Sequence, residues 1–142
     1  MKILIPVDGS DNAISAVRYA IKLATETKQL PQLLLLNVQW NVAAGNVKLF
    51  INQETINDYY REQGMAALQK ARAALDASKL PYQYHISIGQ PAGAILQYAE
   101  ERSVDLIVIG AQGHDSLAKL LLGSVTSKVA NLSKVPVTIT RQ

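Results

Sequence analysis

Short apolar runs alternate along this chain with segments whose apolar residues recur at helical spacing. The second run is apolar without alternation, as expected of a strand that is covered on both faces of a sheet. Most of the runs are bounded by Gly, Pro, Asp or Ser, the residues that favour turns. The pattern predicts five strands: Lys2–Val7, Leu33–Val38, Tyr82–Ile88, Val104–Ile109 and Val135–Thr140.

Four helices are predicted between these strands. Ser10 or Asp11 can cap the first helix, which places five apolar residues on one face. The third helix has Pro91 in its first turn, where a missing backbone N–H costs nothing. The apolar stripes of the first and fourth helices consist of Ala13, Val17, Ala20, Ile21 and Ala24, and of Val125, Val129 and Leu132.

The second helix is predicted from Glu54 to about Ser78, a segment rich in helix-forming residues. Gly64 lies within it, and an internal glycine leaves open whether the helix is continuous. Residues 40–53, which precede this helix, show no clear period and are interpreted as a loop.

Strands that alternate with helices imply parallel crossovers of one hand, and therefore a three-layer α/β sandwich. We interpret residues 1–142 as a single domain, since a length of 142 residues suits one core. Ligands of such sheets bind beyond the carboxyl ends of the strands, where the strand order reverses. The first and fourth strands are the natural neighbours at that point. The sequence therefore predicts a ligand site between Asp8 and the loop that begins at Gly110.

Composition excludes several classes of protein. The chain has no cysteine, which rules out disulfide scaffolds, cysteine-ligated metals and thiol nucleophiles. The net charge of +3 is too small, and the basic residues too scattered, to indicate a nucleic-acid partner. There is no apolar run of membrane-spanning length and no signal-peptide core, so we expect a cytoplasmic protein without a membrane segment.

The strongest candidate chemistry lies in the spacing Gly110-x2-Gly113-x9-Gly123-Ser124. Gly113 can expose backbone N–H groups to a ligand, and Gly123-Ser124 opens a helix whose N–H groups and dipole favour an anion. The hydroxyls of Ser124 and Thr126 can add donors to one phosphate. The alternative is a simple loop turn followed by an N-cap serine.

Asp8 at the tip of the first strand can accept hydrogen bonds from a ribose or help to hold a hydrated cation. The alternative is an Asx-type turn in which Asp8 caps the first helix. The Walker, dinucleotide and hydrolase signatures G-x-x-x-x-G-K-[ST], G-x-G-x-x-G and G-x-S-x-G are all absent. The two histidines, His85 and His114, lack metal-ligand spacing and are interpreted as surface or packing residues.

Several motifs in register resemble the universal stress protein family over essentially the whole chain. They are Ile3-Leu-Ile-Pro-Val-Asp-Gly-Ser10, the positions Gly89, Pro91 and Ile95, Asp105-Leu-Ile-Val-Ile-Gly110, the glycine spacing with Val125, and Pro136-Val137. The resemblance implies a Rossmann-like, adenine nucleotide alpha hydrolase-like fold, with five parallel strands in the order 3-2-1-4-5. It also implies the nucleotide-binding type of this family, since the glycine motif is the family's ATP signature.

Carried over position by position, the resemblance implies a complete nucleotide site. Asp8 and Gly110 would lie at the ribose, and the backbone of Val38 would meet the adenine between the walls formed by Pro6 and Val7. The phosphates would be held by Gly113, Gly123, Ser124 and Val125. Residues 111–112 are Ala-Gln, where the family usually has a hydroxyl residue followed by a basic one. This loss of a donor and a cation predicts that AMP binds nearly as well as ATP.

The favoured hypothesis is that the protein is an ATP- or AMP-binding regulatory module of the stress response. Whether Mg²⁺ accompanies the phosphates is an open question at this point. The alternatives are a slow ATP hydrolase and a protein-interaction module with a vestigial site. A hydrolase would need a water-activating base and positive charge, and Asp8 is the one carboxylate placed nearby. Residues 135–140 lack charges, so we expect the last strand to pair with a second copy in a homodimer. The alternative is a monomer whose edge is covered by residues 40–53.

Overall fold

A computed structural model of the chain describes residues 1–41, 52–112 and 121–142. Strands and helices alternate along these residues, as the sequence predicts. In chain order they are β1 (Lys2–Pro6), α1 (Asp11–Glu26), β2 (Gln32–Gln39), α2 (Gln53–Ser78), β3 (Tyr82–Ile88), α3 (Pro91–Glu101), β4 (Leu106–Gly110), α4 (Ser124–Leu132) and β5 (Val137–Thr140).

The five strands form one parallel sheet in the order β3-β2-β1-β4-β5, which confirms the order implied by the family resemblance. The order reverses between β1 and β4, which are direct neighbours with Ile3 opposite Leu106. Their carboxyl ends therefore lie side by side at the centre of one sheet edge.

Two apolar clusters cover the two faces of the sheet. One contains α1 and α2 packed on the odd-numbered residues of β1, including Ile3 and Ile5. The other contains α3 and α4 packed on the face that carries Leu4 and Leu36. Because side chains alternate between the faces of a strand, β1 and β2 contribute to both clusters. The chain is thus a three-layer sandwich, as predicted.

Gly64 does not interrupt α2, which continues over 26 residues. It is buried against β3, and a Cβ built on it would lie 2.7 Å from the side chain of Ile86. The glycine therefore permits close packing of helix on strand. Its presence reflects a tertiary contact that the local sequence pattern does not reveal.

Element ends differ from the predictions by one or two residues. The fourth strand begins at Leu106 and not Val104, because the N–H of Val104 donates to Ala99 and closes the end of α3. The fifth begins at Val137 and not Val135, whose N–H donates to the hydroxyl of Ser133. Leu132, predicted in the apolar stripe of α4, is 66% exposed.

Most of the predicted loop at 40–53 lies outside the described residues; Asn52 caps α2 and Gln53 is the first residue of that helix. Among the residues that the structure does describe, no helix is both long and apolar enough to cross a membrane.

Candidate functional site

The predicted site lies where β1 and β4 end. Pro6 is the last residue of β1 and Val7 follows it, and both are buried. Gly110 is the last residue of β4, and it is packed tightly against the first turn of α1. A Cβ built on Gly110 would lie 2.7 Å from the carbonyl oxygen of Asn12, so only glycine fits without a shift. The crossing of β4 with α1 thus brings the two predicted loops together.

Asp8 occupies the tip of β1 and is exposed. Its carboxylate accepts a hydrogen bond of 2.9 Å from the backbone N–H of Ser10, which is the Asx turn considered as an alternative. Gly9 between them has φ of 88°, a conformation that glycine adopts at no steric cost. Ser10, and neither Asp8 nor Asp11, caps α1 by accepting from the N–H of Ala13. Asp8 is therefore held rigidly at the edge while its side chain stays near solvent.

Three hydrogen bonds fix the beginning of α4 to the end of β4. The N–H of Gly123 donates to the carbonyl of Ala111 at 2.8 Å. The hydroxyl of Thr126 donates to the carbonyl of Gly110 at 2.7 Å, and Gln112 donates to the carbonyl of Leu121 at 2.9 Å. These bonds place the first turn of α4 beside the tips of β1 and β4. Gly113 lies outside the described residues, as does His114.

Gly123 takes the N-cap position of α4, and among the residues that the structure describes no side chain accepts from the first turn of this helix. The other three helices each have a side-chain cap, from Ser10, Asn52 and Gln90. Ser124 is exposed, whereas Val125 packs against the apolar cluster and can offer only its backbone. This terminus therefore presents donors of the kind that bind an anion.

The backbone of Val38 faces the space just beyond the end of β1. Successive residues of an inner parallel strand direct their N–H and C=O groups to alternate neighbours. The carbonyl of Leu36 accepts from Val7 on the β1 side, and that of Gln39 accepts from Gly89 on the β3 side. Val38 comes two residues after Leu36, so its peptide groups point to the β1 side. The N–H and C=O groups of Val38 come directly after the last backbone hydrogen bond between β1 and β2, which joins Val7 to Leu36.

Asn37 is a functional candidate that the sequence analysis did not single out. It is 2% exposed, and its amide donates to the carbonyl of Val7 at 2.9 Å. Gln39 donates to the Asn37 side-chain oxygen at 2.7 Å. A polar residue inside the apolar run Leu33–Val38 was the signal available in the sequence, since buried polar groups need specific partners.

An open polar cavity of about 370 Å³ adjoins the Asp8 turn from the side of α1 and α2. It is lined by Gly9, Ser10, Asp11, Asn12, Lys70, Gln112 and Gln142. None of the residues predicted to contact a nucleotide is among them, and the predicted contacts Val38 and Val125 pack on the opposite face of the sheet. Within the described ranges no three His, Cys, Asp or Glu side chains lie together as a metal site would require.

Comparison with known proteins gives a consistent result along the whole chain. A model of the "Universal stress protein family" matches residues 1–141. The universal stress protein YxiE of Bacillus subtilis is 32% identical over 149 residues, which cover 99% of this chain and 98% of that protein. The solved structure of universal stress protein UspA from Lactobacillus plantarum is 29% identical with a TM-score of 0.83, covering 99% of this chain and 97% of the other.

Structures of similar proteins with bound nucleotides are also known. A universal stress protein in complex with cAMP is 25% identical, with a TM-score of 0.72, and covers 99% of this chain and 96% of the other. Proteins from Arabidopsis thaliana with AMP and from Archaeoglobus fulgidus with dAMP are 16% and 22% identical, each with a TM-score of 0.68, and share the fold. The family match, the identity to YxiE and the structural similarity to UspA lead to one conclusion: the chain belongs to the universal stress protein family.

Proposed function

We propose that this protein binds an adenine nucleotide across the ends of β2, β1 and β4. The observation that carries the proposal is the peptide edge of Val38, which faces the space beyond β1. An N–H and a C=O side by side complement the Watson–Crick edge of adenine, which offers an acceptor nitrogen beside an amino donor. Pro6 and Val7 would flank the base at this edge. The nucleotides bound by the similar proteins agree with this choice of base.

The ribose and phosphates would extend along the sheet edge from Val38 toward α4. Neighbouring strands lie about 4.8 Å apart, so β2 and β4 are separated by about 10 Å, a span that a nucleoside can bridge. Asp8 and Gly110 lie on that path and would contact the ribose. Ser124 and Val125 would then offer their N–H groups to the phosphates at the beginning of α4. The N–H of Gly123 is donated to Ala111, so Gly123 would touch the phosphates only as the small residue at the N-cap position. Gly113, expected from the resemblance to join them, lies outside the described residues.

We assign Thr126 a supporting role in this site. The sequence predicts that its hydroxyl binds phosphate together with that of Ser124. Its one hydroxyl proton is instead donated to the carbonyl of Gly110, and the side chain is 3% exposed. Thr126 would therefore hold α4 in place while the N–H groups of the helix meet the anion.

AMP is expected to bind nearly as well as ATP. Ala111 is buried and Gln112 donates to the carbonyl of Leu121, so neither adds positive charge. Mg²⁺, where it accompanies ATP, would be held by phosphate oxygens and water, the usual arrangement for this ion. Bound nucleotide would stabilise one conformation or assembly, and the protein would act as a nucleotide-dependent regulatory module in the stress response.

The assembly proposed is a homodimer through β5, which is an edge strand. The carbonyls of Pro136 and Thr140 accept from Ile107 and Ala111, so the even-numbered residues of this strand bond to β4. By alternation, the N–H and C=O groups of Val137 and Ile139 point outward. A second copy of the same strand across a two-fold axis would satisfy them.

Calorimetry with AMP, ATP and adenosine tests the nucleotide proposal. Ser124→Pro removes the hydroxyl and one N–H at the first position of α4, where proline is compatible with the helix. We expect AMP affinity to fall at least about tenfold, or 1.4 kcal/mol, and adenosine affinity to change little. Gln53→Pro makes a matched change at the first position of α2 and should leave both affinities unchanged.

Analysis of small molecules released from freshly purified protein provides a second, independent measurement. Mass spectrometry should detect an adenine nucleotide after denaturation. A protein that carries none and that binds neither AMP nor ATP in calorimetry would contradict the proposal. ATP turnover above the buffer background that disappears in Asp8→Ala would instead favour the hydrolase alternative.

A further inference from the structure

Asn37 is the buried polar residue at the carboxyl end of β2, directly before Val38. It follows the fully buried residues Leu33–Leu36 and is itself 2% exposed. A buried amide is stable only when its donor and acceptor groups are both engaged. In Asn37 the nitrogen donates to the carbonyl of Val7 and the oxygen accepts from Gln39.

The partners of Asn37 fix the orientation of its side chain. Gln39 donates through its amide nitrogen, so the atom of Asn37 that faces it is the acceptor oxygen. The nitrogen of Asn37 is thereby turned toward Val7. Gln39 is itself held at β3, because its carbonyl accepts from the N–H of Gly89 at 2.9 Å. A chain of hydrogen bonds thus runs from the β3 side to the end of β1.

This side chain occupies the place of a backbone bond. The ladder between β1 and β2 reaches Val7, whose N–H donates to Leu36 at 2.8 Å. In a regular parallel ladder the next bond would run from the N–H of Val38 to the carbonyl of Val7. Among the residues that the structure describes, no backbone N–H reaches that carbonyl. The Asn37 amide is the donor found there instead.

We propose that Asn37 is the positioning residue that keeps the base-binding edge open, by satisfying the Val7 carbonyl in place of the Val38 N–H. This inference rests on the proposed nucleotide site. Without the side-chain amide, the Val7 carbonyl would be a buried acceptor with no donor, which is costly. The nearest remedy is for the N–H of Val38 to close on it and lengthen the ladder. The base would then lose the donor that distinguishes adenine.

Asn37→Leu tests this role, because leucine has similar volume and cannot hydrogen-bond. Without nucleotide, we expect the amide of Val38 to exchange with solvent at least about tenfold more slowly in the variant. The physical reason is that this N–H enters a backbone hydrogen bond. General destabilisation would make the same amide exchange faster, so the direction of change separates positioning from simple loss of structure. Gln39→Leu, which frees the Asn37 amide to turn, should produce a smaller shift of the same sign.

Calorimetry with AMP and IMP measures the consequence for binding. IMP presents a ring N–H where AMP presents an acceptor nitrogen, so the parent should prefer AMP at least about tenfold. In Asn37→Leu this preference should largely disappear. Asn131→Leu, the same change at an exposed position of α4, should retain both the preference and the Val38 exchange rate.

Two outcomes overturn the inference in different ways. An unchanged or faster Val38 exchange in folded Asn37→Leu and Gln39→Leu, with the AMP preference retained, removes the role of Asn37 and leaves the nucleotide site standing. A parent protein that binds neither AMP nor IMP removes the proposed function and this role with it. The exchange measurement needs no ligand, so it tests the competition for the Val7 carbonyl in either case.

Discussion

The hydroxyl of Thr126 donates a hydrogen bond of 2.7 Å to the carbonyl oxygen of Gly110, and both residues are buried. This bond joins the first turn of α4 to the last residue of β4. Because the N–H of Gly123 also donates to the neighbouring carbonyl of Ala111, the helix terminus and the strand end are fixed to each other. The position of the candidate phosphate site is therefore set by hydrogen bonds within the protein, which form without a ligand.

Thr126→Val keeps the shape of this side chain and removes its hydroxyl. The carbonyl of Gly110 then loses its donor in a buried setting, so the free energy of unfolding should fall by about 1–3 kcal/mol. Urea denaturation measures this change. Thr25→Val removes a similar hydroxyl at an exposed position of α1, where water replaces the lost bond, and should cost less than about 0.5 kcal/mol. Equal losses in the two variants would contradict the assigned role.

Gly110→Ala tests the contact between β4 and α1. The added Cβ would lie 2.7 Å from the carbonyl oxygen of Asn12, which is backbone and cannot rotate away. We expect a loss of about 1–3 kcal/mol in unfolding free energy, as in other overpacked interiors. Gly93→Ala in α3 is the matched control, because its Cβ meets only the side-chain oxygen of the N-cap residue Gln90, which can shift by a few tenths of an ångström, and not a backbone atom. It should be neutral or stabilising by roughly 0.5–1 kcal/mol, and a Gly110→Ala protein as stable as the parent would show that the helix can move.

The sequence allowed the order of elements and their packing to be predicted, because periodicity and turn residues are local signals. The strand order 3-2-1-4-5 came from family resemblance and is confirmed. The predicted first residues of β4 and β5 were wrong by two positions. The N–H groups of Val104 and Val135 donate to Ala99 and Ser133 and not to a neighbouring strand. Such competition between local turns and sheet pairing depends on geometry that an apolar pattern does not contain.

The candidate site was only partly predictable. The glycine spacing and Asp8 predict a site at the carboxyl ends of β1 and β4, because ligand-binding loops follow parallel strands, and the structure places these two strand ends side by side. The hydrogen bond from the Thr126 hydroxyl to the carbonyl of Gly110 could not be predicted, because its acceptor lies sixteen residues earlier in the chain. Asn37 is not predictable as a site residue, because it lies inside an apolar run and its partner Val7 comes directly after β1, thirty residues earlier in the chain. Long-range bonds of this kind appear only once the chain is folded.

His85, interpreted from the sequence as a surface or packing residue, lies between Tyr98 and Arg102. Arg102 is 3.2 Å from its Nε2 atom, and the Tyr98 hydroxyl is 2.8 Å from Nδ1. A guanidinium can only donate, so Nε2 accepts and the proton of the neutral ring is on Nδ1, directed at Tyr98. Burial lowers the pKa of His85, and the positive charge of Arg102 lowers it further.

This arrangement predicts how stability depends on pH. The unfolded histidine has a pKa of about 6.5, and the folded one lies lower, so the unfolded state binds more protons as the pH falls. The stabilising contribution is therefore complete above about pH 6.5 and is lost as the pH drops toward the folded pKa. Urea denaturation at pH 7.5 and 5.0 should show a smaller loss for His85→Gln than for the parent. Identical losses would mean that His85 does not titrate differently on folding.

The last prediction concerns assembly through β5. Val137 and Ile139 pack their side chains on the apolar cluster beneath α3 and α4, so a charge placed there would test folding as much as pairing. Val137→Pro instead removes one outward N–H and leaves the bonds of Pro136 and Thr140 to β4 in place. Proline is tolerated at the first residue of an edge strand, so the fold should survive.

Light scattering at micromolar concentration should show a dimer for the parent and a monomer for Val137→Pro. The physical reason is that a two-fold strand pair loses the same donor twice, once in each copy. Val135→Pro is the control: it makes the same change before the strand, where the N–H donates to Ser133, and should remain dimeric. A parent that is monomeric under these conditions contradicts the proposed dimer. A Val137→Pro protein that stays dimeric would place the interface on another surface, because the outward donor of β5 would then contribute nothing to association.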